Sequence, residues 1–140
     1  VELLVKNDIA VMGHVGLTPQ SILDWKVQGK DAESAKKILQ DAISLQKAGC
    51  FCIVIESVPA ELGKKITQIV SVPTIGIGAG VDCDGQVLVI NDLLGLNATD
   101  FKPKFVKRYI DLRPQVIDAL KQFKIDVKEK KFPDEKNVYS

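Results

Sequence analysis

The sequence contains 140 residues, of which 46% are hydrophobic and 26% are charged, a composition that is typical of one folded domain and excludes a disordered chain. Nineteen basic and eighteen acidic residues leave a net charge of +1, so we expect no nucleic-acid partner. No apolar run approaches the roughly 18 residues that a membrane-spanning helix needs, and no signal peptide opens the chain, so we expect no membrane partner.

The predicted elements alternate between short apolar strands and amphipathic helices. Residues 1–7 are predicted to form the last turns of a helix. Four strands are then predicted at the following positions: about 9–12, 51–55, 74–77 and 86–90. Such alternation is typical of an α/β fold with a parallel sheet.

Three helices are predicted to connect or follow these strands. Asp31 is expected to cap the first, which ends at Gly49 in a left-handed conformation. Pro59 fits the first turn of the second helix, at 59–70. The third is predicted at 104–123, with a kink at Pro114, and the charged residues after position 125 are predicted to form a surface tail.

Four parallel strands can form either a small open sheet or half of an eight-stranded barrel. Few positions on the predicted strands are polar, so both edges of an isolated sheet would be prone to association. This favours half of a larger barrel, and we expect residues 1–140 to form a single unit of it.

The three cysteines, Cys50, Cys52 and Cys83, occur in hydrophobic surroundings. Cys50 and Cys52 are two residues apart, which would strain a disulfide and does not match the C-x-x-C spacing. We therefore predict reduced and buried thiols, as in a cytoplasmic protein.

The stretch F-C-I-V-I-E at 51–56 is the centre of the pattern. Its apolar, β-branched residues predict a strand that is buried on both faces, and Glu56 follows directly at its end. Residues just past the carboxyl ends of parallel strands line the active sites of α/β folds. Glu56 can therefore be a general base in an apolar setting, or it can cap the helix that follows.

His14 is the only histidine, and Gly13 and Gly16 flank it at the end of the first predicted strand. Any imidazole chemistry of this chain must therefore come from His14. It can equally be an ordinary loop residue.

A glycine cluster, G-I-G-A-G at 76–80, does not match the dinucleotide motif G-x-G-x-x-G, and no long helix is predicted after it. It is expected to allow close backbone approach to a ligand or to form a phosphate loop. Asp82 and Asp84 follow in turn-forming sequence, where carboxylates usually form the turn rather than bind a metal.

Six stretches, taken in order, resemble the ketopantoate hydroxymethyltransferase family. They are G-H-V-G-L-T-P-Q (13–20), K-V-Q-G-K (26–30), I-E-S-V-P-A-E-L (55–62), V-P-T-I-G-I-G-A-G (72–80), D-G-Q-V-L-V (84–89) and P-K-F-V-K-R-Y (103–109). The resemblance extends from about residue 10 to residue 133. It implies a (βα)8 TIM-type barrel, of which this chain supplies roughly the last four βα units.

The resemblance also implies an activity. The family transfers a hydroxymethyl group from 5,10-methylenetetrahydrofolate to 3-methyl-2-oxobutanoate, giving 2-dehydropantoate in the pathway to pantothenate and coenzyme A. A Mg²⁺ ion holds the keto acid and makes its C3 proton acidic. The substrates are small molecules, and the resemblance implies a homo-oligomer, specifically a decamer.

Several residues of this chain match the family's functional positions. Glu56 matches the general base, and His14 matches an active-site histidine that contacts the substrate. Val72, Gly76 and Gly78 match the seventh strand, beside the apolar end of the substrate. The metal ligands of the family lie on its first four strands, so no metal ligand is expected in this chain, and the 140 residues alone are expected to be inactive.

Two alternatives remain open at this point. The first is a related Mg²⁺-dependent keto-acid aldolase or lyase on the same barrel. The second is a non-catalytic half-barrel that assembles with a partner. The segment 21–26 is also about three residues shorter than the corresponding loop of the family.

Overall fold

A computed structural model describes residues 1–18, 26–97, 99 and 103–139. The predicted short loop at 21–26, and the last two residues of the motif at 13–20, fall largely outside these ranges. The chain divides into two compact units, Val1–Leu88 and Val89–Ser140. The prediction of a single unit over 1–140 stays a prediction.

The first unit is an α/β structure built on a four-stranded parallel sheet, which confirms the predicted α/β class with a parallel sheet. Its elements are α1 (Glu2–Val5), β1 (Met12–Gly16), α2 (Ala32–Lys47), β2 (Cys52–Glu56), α3 (Ala60–Ile69), β3 (Thr74–Ile77) and β4 (Gly85–Gln86). The strands lie side by side in chain order. The strands β2, β3 and β4 therefore each pair with the strand that precedes them in the sequence.

The first strand begins later than predicted. Instead of residues 9–12, it comprises Met12–Gly16. The amide of Ile9 donates a hydrogen bond to the carbonyl of Leu4 at 3.1 Å, and Asp8 has a left-handed φ of 58°. The apolar residue at position 9 therefore closes the end of α1 rather than starting a strand, and His14 lies within β1 rather than beyond it.

The second and third strands agree closely with the sequence. β2 begins and ends one residue later than the predicted 51–55. Phe51 precedes the strand and is 52% exposed. β3 has the predicted bounds. The fourth strand was predicted at 86–90, which is wrong, because it comprises only Gly85–Gln86.

The helices of the first unit confirm their sequence signals. Asp31 caps α2 by accepting a hydrogen bond from the amide of Ser34 at 2.8 Å. Hydrogen bonds from the Ser34 hydroxyl and amide hold the pKa of Asp31 below its usual value. Gly49 follows the helix with a left-handed φ of 93°. Pro59 occupies the N-cap of α3, one residue before the helix begins.

The two helices α2 and α3 cover the same face of the sheet. Ile53 and Ile55 of β2 are fully buried, and they belong to one core with residues of both helices. The helical members of that core are Ile38, Ala42, Leu62 and Ile66. The opposite face, with His14, Val54 and Glu56, is only partly buried, so the prediction that β2 is buried on both faces holds for one face in this chain.

A hydrogen-bonded connection joins β3 to the turn before β4. Asp84 accepts hydrogen bonds from the amide of Thr74 at 2.8 Å and from its hydroxyl at 2.9 Å. The Thr74 side chain is fully buried. The hydrogen bond from the Thr74 amide has the larger effect on Asp84, and together with the bond from the hydroxyl it holds the pKa of Asp84 below its usual value. Asp84 thus forms the turn, as its sequence setting predicted.

We expect the substitution Asp84→Asn to destabilise the chain at neutral pH and to flatten its stability profile in acid. Because the pKa of Asp84 is lower in the folded state, the ionised carboxylate stabilises the fold at pH values above its unfolded-state pKa, which is near 3.8. That stability is lost as the pH falls through the folded-state pKa. Urea unfolding midpoints measured from neutral pH into this range test the expectation.

Asp82→Asn is the matched control, because it removes the same charge from the same turn without touching Thr74. Asp82 is half exposed and lies 3.9 Å from the Lys64 amine. Equal effects of the two substitutions at every pH would contradict the role of the Asp84–Thr74 hydrogen bonds.

The second unit contains α4 (Ile90–Leu94), α5 (Arg113–Lys128) and a short 3₁₀ helix (Glu135–Asn137). The helix predicted at 104–123 is wrong in its start, since α5 begins nine residues later. Pro114 lies in the first turn of α5, where no amide donor is needed, and it therefore starts the helix rather than kinking it. The charged tail begins after Lys128, not after residue 125.

Residues 87–90 illustrate why β4 is short. The amide of Val87 still donates to the carbonyl of Gly76 at 3.0 Å. Val89 then becomes the N-cap of α4, and Ile90 is its first residue. Within the described ranges, no helix is long and apolar enough to cross a membrane.

Candidate active site

Two chemically active side chains meet on the sheet face that the helices leave uncovered. In the parallel register His14 pairs with Val54, and Gly16 pairs with Glu56. Because residues two apart on a strand share a face, the side chains of His14 and Glu56 project from the same face of neighbouring strands. The Nε2 atom of His14 lies 3.1 Å from Oε2 of Glu56.

The contact between these two side chains is close but is not a well-aligned hydrogen bond. Nε2 of His14 is buried, and no group in the described parts of the chain forms a hydrogen bond with it. The side chains as a whole remain accessible, at 30% for His14 and 14% for Glu56. A buried polar atom without a partner is costly, so Nε2 has an unused capacity to bind a ligand.

The alternative that Glu56 caps α3 is wrong. The N-cap of α3 is Pro59, and no side chain caps this helix. The Glu56 carboxylate accepts no hydrogen bond from the first turn of α3. The carboxylate instead faces His14, with Oε2 at 3.1 Å from Nε2.

The backbone around Glu56 explains why glycine occupies position 16. The amide of Leu17 donates to the carbonyl oxygen of Glu56 at 2.9 Å. A Cβ atom at Gly16 would lie 2.2 Å from that oxygen, and Gly16 has a left-handed φ of 89°. Only glycine therefore allows β1 to approach the end of β2 this closely.

Two glycines, one within β3 and one after it, allow close packing. A Cβ at Gly76 would lie 2.9 Å from the Sγ atom of Cys83. A Cβ at Gly80 would lie 2.7 Å from the Cβ of Ala60, at the start of α3. The close contacts that Gly76 and Gly80 allow are thus between segments of the protein itself, whereas the sequence suggested close approach to a ligand.

Gly78 differs from these two glycines in its position. It follows Ile77, which pairs with Glu56, and it has a left-handed φ of 65°. Gly78 therefore lies at the carboxyl end of β3, at the same end of the sheet as Glu56.

The structure brings together some of the predicted site residues and not others. His14 and Glu56 are in contact, and Gly78 follows the strand beside Glu56. Gly76 belongs to the face that carries Ile55, with which it pairs. Val72 precedes β3, at the opposite end of the strand, where it packs against the core. The substrate-binding roles of Val72, Gly76 and Gly78 stay predictions.

Sequence reasoning missed Ser57, which follows Glu56 directly. Ser57 is buried and has a left-handed φ of 50°. Glycine, asparagine and aspartate are the usual residues in this conformation, so a serine gives no sequence signal for it.

The side chains that could bind a metal are dispersed. No group of three or more His, Cys, Asp or Glu side chains is close enough to hold an ion within the described ranges. Asp84 is engaged by Thr74, and all three cysteines are free and buried. Burial raises the pKa of the Cys50 thiol, which keeps it protonated.

Comparison with known proteins identifies relatives of the whole chain. The family model of ketopantoate hydroxymethyltransferase matches residues 1–135. A 3-methyl-2-oxobutanoate hydroxymethyltransferase of Syntrophomonas wolfei is 51% identical over 143 aligned positions, which cover 100% of this chain and 51% of the relative.

Two further relatives of the same name support this match. The protein of Bdellovibrio bacteriovorus is 54% identical over 98% of this chain and 53% of its own length. That of Carboxydothermus hydrogenoformans is 53% identical over 98% of this chain and 50% of its own length. The chain thus spans about half the length of the curated relatives it matches. It belongs to the ketopantoate hydroxymethyltransferase family.

Proposed function

We propose that the whole protein containing this chain transfers a hydroxymethyl group to 3-methyl-2-oxobutanoate, giving 2-dehydropantoate for pantothenate biosynthesis. The observation that carries the proposal is the contact between His14 and Glu56 on neighbouring strands, in a chain of this family. The names of the relatives supply the substrate. We propose 5,10-methylenetetrahydrofolate as the donor on the resemblance of the motifs.

Glu56 is proposed as the general base. Carbon–carbon bond formation at C3 of the keto acid requires removal of the proton on that carbon, which is acidified by the adjacent keto group. The Glu56 side chain is 14% exposed, and no described residue donates a hydrogen bond to its carboxylate, so a bound substrate can bring its C3 proton to it. The resulting carbanion forms the new carbon–carbon bond to the one-carbon unit of the donor, whose carbon–nitrogen bonds break so that tetrahydrofolate leaves, and water supplies the hydroxyl oxygen.

His14 is proposed to bind the substrate beside this base. Its Nε2 atom is buried and has no hydrogen-bond partner among the described residues, although it lies 3.1 Å from the carboxylate. An oxygen of the keto acid could accept a hydrogen bond from it. Gly78 is proposed to approach the substrate through its backbone at the same end of the sheet, whereas Gly76 and Val72 are proposed on resemblance alone.

The described residues do not fit a magnesium site. Magnesium is bound through carboxylates and water with octahedral geometry, and no cluster of three or more acidic or histidine side chains is present in the described ranges. If the whole protein uses Mg²⁺, we propose that residues outside this chain hold it.

We propose that the sheet is half of a (βα)8 barrel. An open doubly wound sheet carries helices on both faces and reverses its strand order, whereas here α2 and α3 share one face and the strands follow chain order. This chain contains four strands and spans about half the length of its relatives, so a protein of their full length would contain about eight strands.

The edge of β1 offers a place for the other half to join. In the described part of the chain, β1 pairs on one side only. A groove of about 880 Å³ lies beside it, lined among others by His14 and Gly16 of β1 and by Lys37 and Asp41 of α2. We propose that a strand and helix of the N-terminal half fill this groove.

Two further properties are proposed on the resemblance. They are a homo-oligomeric state, specifically a decamer, and a cytoplasmic location, for which the three free and buried thiols are suitable. Size measurement of the whole protein tests the first.

The reaction is tested by incubating the whole protein with 3-methyl-2-oxobutanoate, Mg²⁺ and ¹³C-labelled 5,10-methylenetetrahydrofolate. We expect labelled 2-dehydropantoate by mass spectrometry. The same protein without the folate is the control. Cleavage of a larger keto acid without folate dependence would instead indicate an aldolase or lyase, and absence of any reaction would indicate a non-catalytic chain.

A further inference from the structure

The residue after the proposed base has an unusual backbone conformation. Ser57 has a φ of 50°, a left-handed value that residues with a Cβ atom rarely adopt. The residue is only 6% exposed. In the described part of the chain, only Asp8 and Lys130 are other non-glycine residues with positive φ. Both are exposed, whereas Ser57 is buried beside Glu56.

The neighbouring sequence requires the chain to turn at Ser57. Only three residues separate Glu56, the last residue of β2, from Ala60, the first of α3. Val58 precedes Pro59, which disfavours a helical conformation at Val58. The sharp change of direction between strand and helix therefore falls on Ser57.

Hydrogen bonds hold both peptide groups that flank Ser57. The carbonyl of Glu56 accepts from the amide of Leu17 at 2.9 Å, and the amide of Ser57 donates to the carbonyl of Ile77 at 2.9 Å. The carbonyl of Ser57 accepts from the amide of Gln28 at 2.8 Å. With both peptides fixed, φ at Ser57 determines how Glu56 is rotated relative to the segment that follows.

We propose that Ser57 is a positioning residue, whose left-handed conformation directs the Glu56 carboxylate towards Nε2 of His14. An extended φ at position 57 would have to rotate one of the two fixed peptides. Rotation of the Glu56–Ser57 peptide turns the Cα–Cβ bond of Glu56 and withdraws the carboxylate from His14. The catalytic consequence of this inference rests on the proposed function, but the geometric part does not.

The test follows the imidazole resonances of His14 in ¹H–¹⁵N spectra of the whole protein. The signals that disappear in a His14→Gln variant identify them, and no other histidine occurs in these 140 residues. The substitution Glu56→Gln removes the neighbouring charge and should shift these resonances at neutral pH. The size of that shift measures the contact between the two side chains.

The shift is measured in three backgrounds at position 57. Ser57→Gly keeps the left-handed conformation, and Ser57→Ala removes only the hydroxyl, so both should retain the shift. Ser57→Val is β-branched and disfavours left-handed φ, so the shift should be lost. If Ser57→Val does not fold, Ser57→Thr takes its place, because it is β-branched and keeps the hydroxyl.

Gly49→Ala is the matched control for strain elsewhere. Gly49 also has a left-handed φ, and a Cβ there would lie 2.8 Å from Cγ1 of Val5. This variant should melt at a lower temperature and still show the His14 shift on Glu56→Gln. Loss of the shift in Gly49→Ala, its loss in Ser57→Gly, or its full retention in the folded β-branched variant would each overturn the inference.

A kinetic measurement in the whole protein separates this inference from the proposed function. Ser57→Val should slow exchange of the substrate's C3 proton by about 100-fold, as expected for a misplaced catalytic group, with little change in KM. Ser57→Gly should stay close to the parent. If the spectroscopic results hold but the parent shows no exchange, the proposed function fails and the positioning role stands. An equal kinetic loss in Ser57→Gly would overturn the positioning role.

Discussion

Replacement of Glu56 by glutamine is expected to abolish exchange of the C3 proton of 3-methyl-2-oxobutanoate with D₂O in the whole protein. Glutamine has nearly the same shape but cannot accept this proton. Loss of a positioned general base typically costs about 10²- to 10⁴-fold in rate. The exchange is followed by the loss of the C3 proton signal in ¹H NMR, with Mg²⁺ present.

Binding of the keto acid should remain measurable in Glu56→Gln, because the substitution leaves His14 in place. Glu61→Gln is the matched control, because it makes the same chemical change at a different position. Glu61 is an exposed residue in the first turn of α3. It should exchange like the parent. Undiminished exchange in Glu56→Gln would remove Glu56 from the role of base.

The second large effect is expected in the core of the sheet. Ile53 is completely buried between β2 and the helices that cover it, so Ile53→Ala leaves a cavity. Such truncations lower the free energy of unfolding by about 2–5 kcal/mol. Urea denaturation of the 140-residue chain, followed by circular dichroism, measures this loss.

Phe51→Ala provides the comparison within the same apolar run. Phe51 is 52% exposed, so its truncation should lower the free energy of unfolding by less than about 1 kcal/mol. The sequence alone predicts burial of both residues, whereas the structure separates them. Similar losses for the two substitutions would contradict the placement of Phe51 outside the core.

The sequence predicted those elements in which independent local signals agree. Asp31 and Gly49 delimit α2 from both ends, and the run from Thr74 to Ile77 is bounded by a proline and a glycine-rich segment. The same reasoning failed at residues 87–90, because an apolar run of this length fits a strand or a helix equally well. The outcome there depends on where the backbone pairing with β3 ends.

The site was predictable only in part, for a related reason. The position of Glu56 at the end of a strand could be read from the sequence, but its contact with His14 depends on the register between β1 and β2. Register is a property of two strands together, so neither strand's sequence reveals it. The conformation of Ser57 is likewise determined by the hydrogen bonds of three other segments.

The sequential order of the strands has a consequence for how the site forms during synthesis. A ribosome releases the chain from its amino end, and each strand here needs only its predecessor as a template. The partners His14 and Glu56 can therefore meet once β2 has emerged. The hydrogen bond from Ser57 to Ile77 cannot form until β3 follows, some twenty residues later. Glu56 and His14 can thus come together first, and the hydrogen bonds that fix their orientation can form only afterwards.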